Sequence, residues 1–201
     1  MRKIPGASLQ ILFGLLFLTA CSSAGEAVTP NITATSQPVA KATALPTPSS
    51  PGDSVIWRDL QVTMSQCELT EDYVNEYGSK RVPSAGTKFM WVHVQLKNVG
   101  QKEMDTPKSE HFSALYAAAE FKPTYGHRKD YTDYTALGPV LFPNQQVDAW
   151  LRFDVPANAG LKDLRFVFLP ESSQVGVLSS SPNYPYAENH PTHVWRCEME
   201  N

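Results

Sequence analysis

The sequence is short of several things, and each shortage removes a class of protein. No apolar run reaches the ~20 residues a membrane-spanning helix needs, which excludes a polytopic membrane protein. Charge is sparse, 18% of 201 residues, and its formal balance is −3. Nonspecific binding to DNA or RNA needs a basic face, so no nucleic-acid partner is expected. The chain has no Gly-x-Ser-x-Gly elbow, no His-Glu-x-x-His, no Cys-x-x-Cys and no glycine-rich phosphate loop. Its acids are scattered, so spacing nominates no carboxylate pair. Neither an enzyme nor a cofactor is expected. There are only three cysteines, Cys21, Cys67 and Cys197, an odd number that calls for an explanation. A hydrophobic share of 42% excludes wholesale disorder.

Residues 1–20 have the organisation of an export leader. Arg2 and Lys3 form a positive start, and Ile11 to Ala20 (ILFGLLFLTA) is an apolar stretch too short to span a bilayer. It runs into Leu18-Thr19-Ala20-Cys21, which resembles the bacterial lipobox. That resemblance implies a diacylglyceryl group on the Cys21 thiol and cleavage before it. An ordinary secretory leader with a chance cysteine is the other reading. Two or three acyl chains together make a firm anchor. Ser22 is not the aspartate that retains lipoproteins at the inner membrane. The implied location is therefore extracytoplasmic: the outer membrane in a two-membrane cell, the outer leaflet of the cell membrane in a one-membrane cell. With Cys21 taken by lipid, Cys67 and Cys197 remain as an even pair in an oxidising compartment, and a disulfide between them is expected.

Residues 21–52 change composition abruptly. Prolines 30, 38, 46, 48 and 51 alternate with Ser, Thr and Ala, and only Glu26 and Lys41 are charged. Without apolar periodicity, nothing offsets the entropy of ordering such a segment, so it is expected to be a disordered tether. It would span roughly 30 Å as a coil and up to roughly 100 Å stretched. Asn31-Ile32-Thr33 fits a glycosylation sequon, a match expected to mean nothing in a bacterial lipoprotein.

Residues 53–201 are expected to form one all-β domain with a C-terminal extension, because the dominant period there is 2. Met90, Val92, Val94 and Leu96 line one face of a strand, with His93, Gln95 and Lys97 opposite. Val147, Ala149, Leu151, Phe153 and Val155 alternate with Asp148, Trp150, Arg152 and Asp154 until Pro156. Leu164, Phe166 and Phe168 form the inward face of a further strand. An earlier strand is predicted over Val55 to Cys67, with Leu60, Val62 and Met64 inward, and a weak one over Val175 to Leu178. Phe112 to Phe121 fits either a helix or a strand followed by a turn; the neighbouring strands favour the latter. Many short strands punctuated by Gly, Pro and Asn suggest a sandwich.

Gly86 to Gly100 (GTKFMWVHVQLKNVG), then Phe112, then Leu141-Phe142-Pro143-Asn144, then Phe153-Asp154-Val155-Pro156 fall in a familiar order. The stretch from about 54 to 170 resembles an immunoglobulin-like domain of unknown function common in bacterial lipoproteins, the DUF4352 type. That family is similar in fold to a small secreted immunogenic β-sandwich protein. The resemblance implies a single immunoglobulin-like sandwich and no agreed catalytic residues. Asn144 stands where the family usually has glycine, and the extension from Ser172 to Asn201 lies beyond the resemblance.

The most distinctive loop is Tyr125-Gly126-His127-Arg128-Lys129-Asp130-Tyr131-Thr132-Asp133-Tyr134. Tyrosine and arginine are enriched where surfaces bind partners, and loops on a rigid sandwich are a usual place for recognition. Tyr125, His127, Arg128, Tyr131 and Tyr134 are therefore the candidate ligand contacts, for an extracellular protein, peptide or polysaccharide. The alternative is a connecting loop whose tyrosines pack on the sandwich edge. Metal handling or a chaperone role would rest on His190 and His193, which have His-x-x-His spacing ahead of Cys197; the intervening proline prevents a helix from presenting them together. His93 is expected to be a solvated strand residue. Trp91 and Trp150 fall on outward faces, where they form an exposed patch or are covered by the tail or the 112–121 segment.

Overall fold

The period-2 segments become long paired strands in the computed structural model, which describes residues 46–117, 119–170 and 192–198. The leader, Cys21, most of the tether, His190 and the Val175 to Leu178 segment lie outside these residues. The described strands are β1 (Ser54–Trp57), β2 (Leu60–Thr70), β3 (Tyr73–Val74), β4 (Lys80–Arg81), β5 (Thr87–Asn98), β6 (Met104–Asp105), β7 (Phe112–Tyr116), β8 (Ala119–Phe121), β9 (Val140–Leu141), β10 (Gln146–Pro156), β11 (Leu164–Phe168) and β12 (His193–Arg196). The only helical turns among the described residues are 3-10, at Ser109–His111, Tyr134–Ala136 and Leu161–Asp163. The protein is all-β.

Two four-stranded antiparallel sheets face each other. The first has the order β1-β2-β5-β10 and the second β12-β11-β7-β8, with the ribbons β3-β4 and β6-β9 at the margins. Between the sheets lie the residues that alternation selected: Met90, Val92, Val94 and Leu96 of β5, Leu151, Phe153 and Val155 of β10, and Leu164, Phe166 and Phe168 of β11, all buried. Each such side chain contributes on the order of 1.5–3 kcal/mol of transfer free energy. Phe112 stacks on Phe166 and Phe168 with centroids 5.5 and 5.0 Å away, and Trp195 adds a ring 5.8 Å from Phe166.

The strand expected over Val55 to Cys67 is instead two, β1 and β2, joined at Arg58 and Asp59 with Arg58 at φ 53. The segment from Phe112 divides into β7, a turn and β8. Pairing with β11, Phe112 opposite Phe168 and Tyr116 opposite Leu164, overrides the helix preference of its alanines, and Ala117 turns the chain at φ 52. Asn144 has φ 62, a conformation that favours glycine and that asparagine tolerates better than most residues. The turn residue Asn98 is fully buried. Its side chain donates to the carbonyls of Lys102 and Leu141 and accepts from Gly100 N–H, joining two turns.

Cys67 reaches the interior through one extra residue. A bulge at Ser65 shifts the register of β2 against β5 between Met64 and Gln66. Before it the even-numbered residues face inward; after it Cys67 and Leu69 do. Cys67 and Cys197 form a disulfide with a Cα–Cα distance of 5.3 Å. Among the described residues, backbone hydrogen bonding starts at Ser49, within the segment assigned to the tether: Ser49 N–H donates to Val194 O and Arg196 N–H donates to Ser49 O.

Candidate functional site

In an antiparallel sheet with one covered face, side chains opposite the core meet water. The first sheet departs from this rule. Its outer face carries Phe89, Trp91 and His93 on β5, Trp150 and Arg152 on β10, and Glu68 on β2; register sets Trp91 between Glu68 and Arg152, and His93 beside Trp150. Among the described residues, the cover of the tryptophans comes from β3 and the tyrosine-rich loop rather than from the 112–121 segment. Tyr73 of β3 packs edge-on against Phe89 and Trp91, each 5.0 Å away, and Tyr131 of the loop stacks flat on Trp150 at 3.8 Å.

The tyrosine-rich loop is laid across the sheet. Backbone bridges pair Asn75 with Arg128, Thr124 with Arg152 and Asp133 with Trp150. Glu68 fastens it: Oε1 accepts from Arg128 at 2.6 Å and Oε2 from the Tyr131 hydroxyl at 2.5 Å. Such charge-assisted bonds are the stronger kind. The Arg128 guanidinium also lies 4.2 Å over the Tyr131 ring. Burial, then the hydrogen bond and the charge of Glu68, push the Tyr131 hydroxyl up to about 12. Arg152 donates to Tyr73 Oη and Thr124 Oγ1, both at 3.0 Å, and lies over Phe89. Gly126 lets the loop lie close over Arg152: a Cβ there would sit 2.4 Å from the guanidinium, so Arg152 would have to move.

The five loop candidates separate into three groups. Arg128 and Tyr131 are half-buried parts of the layer. Tyr134 is turned away from the layer into the core: it is 4% exposed, lies 5.3 Å from Phe112, and donates to Pro107 O at 2.8 Å. Its 3-10 turn, capped by Asp133, rotates it into the core, and burial raises its pKa. Tyr125 and His127 remain at the rim. Tyr125 is 69% exposed and meets His127 edge-on at 4.6 Å, while His127 Nδ1 lies 3.9 Å from Asp133. Sequence reasoning missed their neighbour Tyr77, 82% exposed on the β3–β4 hairpin. A hydrogen bond to Glu76 and its charge raise the Tyr77 pKa, and Tyr125 is close enough to add to the effect.

His93, expected to be solvated, is only 20% exposed: Nδ1 is 2.6 Å from Ser65 Oγ, and its ring lies 4.7 Å from Trp150. His193 stacks on Phe168, its Nε2 is buried without a partner among the described residues, and burial lowers its pKa. No group of three or more metal-ligating side chains occurs among the described residues.

The sequence profile of a family described as a domain of unknown function, DUF4352, matches residues 49–173. No curated protein matches the chain significantly. Several solved structures are similar. An uncharacterised β-sandwich protein from Clostridium difficile is 10% identical with a TM-score of 0.45, covering 78% of this chain and 98% of its own. The yjhA protein from Bacillus subtilis is 12% identical with a TM-score of 0.48, covering 73% and 97%. A candidate lipoprotein of Bacillus subtilis, ycdA, is 16% identical with a TM-score of 0.44, covering 76% of this chain and 40% of its own.

Proposed function

This chain belongs to the DUF4352 family, and from that premise we propose that it is a lipid-anchored extracytoplasmic protein whose sandwich displays a surface for non-catalytic binding. The partner is an extracellular protein, peptide or envelope polymer, and nucleic acid is not among the partners. The observation that carries this reading is the exposure of Tyr77 and Tyr125 above a layer that Glu68, Arg128 and Tyr131 hold in place. Exposed aromatic rings on a rigid base bind at low cost in conformational entropy. Leu18-Thr19-Ala20-Cys21 supports the anchor, and the proline-rich stretch after it supports a spacer between membrane and domain.

The test has two arms. Palmitate labelling and membrane retention of the full chain depend on Cys21; a Cys21→Ala protein that remains firmly in membranes overturns the anchor. Saturable binding to envelope polysaccharide or extracellular peptide arrays disappears in Tyr77→Ala/Tyr125→Ala while melting is unchanged; undiminished binding overturns the surface. Substituting Tyr131 or Tyr134 would test packing instead, since both belong to the folded interior of their layers.

A further inference from the structure

The bulge that turns Cys67 inward also aims a serine. Ser65 is the inserted residue, so Ser65 and Gln66 stand together on the outer face of the first sheet. They lie where the aromatic layer gives way to polar side chains, Thr63, Gln95 and Asp148 forming the next row in register. The insertion sets the Ser65 hydroxyl 2.6 Å from His93 Nδ1 on the neighbouring strand. Asp148 of β10 flanks the other ring nitrogen, with Oδ2 3.6 Å from Nε2. Three adjacent strands thus bring together a serine, a histidine and an aspartate, with the imidazole between the other two.

A carboxylate only accepts, so its place beside Nε2 favours a proton there and leaves Nδ1 to accept from Ser65. The other acceptor near the hydroxyl, His93 O, is farther away at 3.4 Å. Asp148 is too distant for a hydrogen bond, but its charge favours the imidazolium that forms when the serine gives up its proton. A hydroxyl bonded to a base that a third group orients is the arrangement that activates a nucleophile. Solvent reaches all of it: Asp148 and Gln66 are exposed, and Ser65 and His93 are partly so. Ser54 on the same sheet supplies a contrast. It is exposed and bonded at 2.7 Å, but to the Thr63 hydroxyl, which is no base.

We infer that Ser65 is a nucleophilic hydroxyl, with His93 as its base, that takes the acyl group of a small carboxylic ester. Ser65 Oγ bonds to the ester carbonyl carbon, and the bond from that carbon to the alcohol oxygen breaks. The serine proton passes to His93 Nδ1 and on to the departing alkoxide, which leaves as the alcohol. Water then cleaves the acyl-serine, regenerating Ser65 and releasing the carboxylic acid. Gln66, exposed and opposite His93, carries an amide that can donate to the carbonyl oxygen. Asp148 is a positioning residue, acting through His93. This chemistry is independent of binding at the tyrosine rim.

The full chain is treated with a fluorophosphonate, which forms a stable phosphonyl-serine with loss of fluoride, and the modified residues are located by tandem mass spectrometry. Ser65 is expected to be labelled at least about a hundredfold faster than Ser54, the lower range of general-base catalysis. His93→Gln lowers the Ser65 rate to that of Ser54 in protein that melts like the parent. Asp148→Asn slows labelling several-fold and Asp148→Glu restores it, while ring nitrogen NMR shows the His93 proton leaving Nε2 only in the asparagine variant. Phenyl acetate releases phenol with the parent and only at the background rate with Ser65→Ala. Labelling of Ser65 no faster than of Ser54, or unaffected by His93→Gln, overturns the activated serine and leaves a purely structural hydrogen bond. Equal phenol release by parent and Ser65→Ala overturns the ester as its substrate.

Discussion

The two faces of the first sheet carry two hydrophobic regions, and they are made differently. Between the sheets the side chains are mostly aliphatic or phenyl, joined by Trp195, Tyr134 and the disulfide, and none of them carries a charge. On the outer face of the first sheet the rings are mostly tyrosine and tryptophan, with Phe89 and His93 among them, interleaved with Glu68, Arg128 and Arg152. The inner region draws on area removed from water; the outer one combines part of that term with a few directed, charge-assisted bonds. The inner core should therefore be sensitive to volume, and the outer layer to charge and to single hydrogen bonds.

The largest expected effect is in the inner region. Phe166→Ala should cost about 3–5 kcal/mol by chemical denaturation, since it removes a ring stacked among Phe112, Phe153 and Trp195. Opening the disulfide by Cys67→Ser/Cys197→Ser should cost about 2–5 kcal/mol, because it releases a cross-link across 130 residues. Glu68→Gln should cost less, about 1–2 kcal/mol, and should lower the Tyr131 ionisation midpoint from about 12 in absorbance titration; burial keeps it above 10. An unchanged midpoint would show that Glu68 does not hold the loop.

A cycle combining Phe166→Ala with Glu68→Gln addresses the comparison itself. Two independent regions give additive losses within about 0.5 kcal/mol; stronger coupling would join them into one. The smallest effect is the pH response. His111 and His193 have lowered pKa values in the folded state, so folding favours their neutral forms. Their contribution is intact above the unfolded value of about 6.5 and is lost as pH falls through it toward the folded values. Tm should drop modestly between pH 7 and 5, and His111→Gln/His193→Gln should flatten that drop.

The inner region was legible in the sequence because alternation is local. The inward faces of β5, β10 and β11 were each visible in a handful of residues, and assigning Cys21 to a lipid in the sequence reading left Cys67 and Cys197 as the pair that the structure joins. The bulge that turns Cys67 inward was not legible: strict alternation from Leu60 gives Cys67 the opposite face, and a single extra residue at Ser65 leaves no mark in composition. The outer layer was half-legible. Trp91 and Trp150 on an outward face left two readings, an exposed patch or a cover; among the described residues they are covered by the loop that Glu68 fastens by reaching Arg128 and Tyr131 across 60 and 63 positions. Tyr131 and Tyr134 have nearly the same neighbours in sequence. A three-residue turn sends one onto the sheet and the other into the core.

Ser49 has one more consequence. Its two backbone bonds hold the chain entering the domain against β12, and the residue after β12 is covalently joined to β2. A pull transmitted through the preceding segment therefore reaches β12 before it can peel β1 away. That strand cannot be drawn out alone, because Cys197 passes the load to a central strand of the first sheet. The domain is fastened at the point where force enters it.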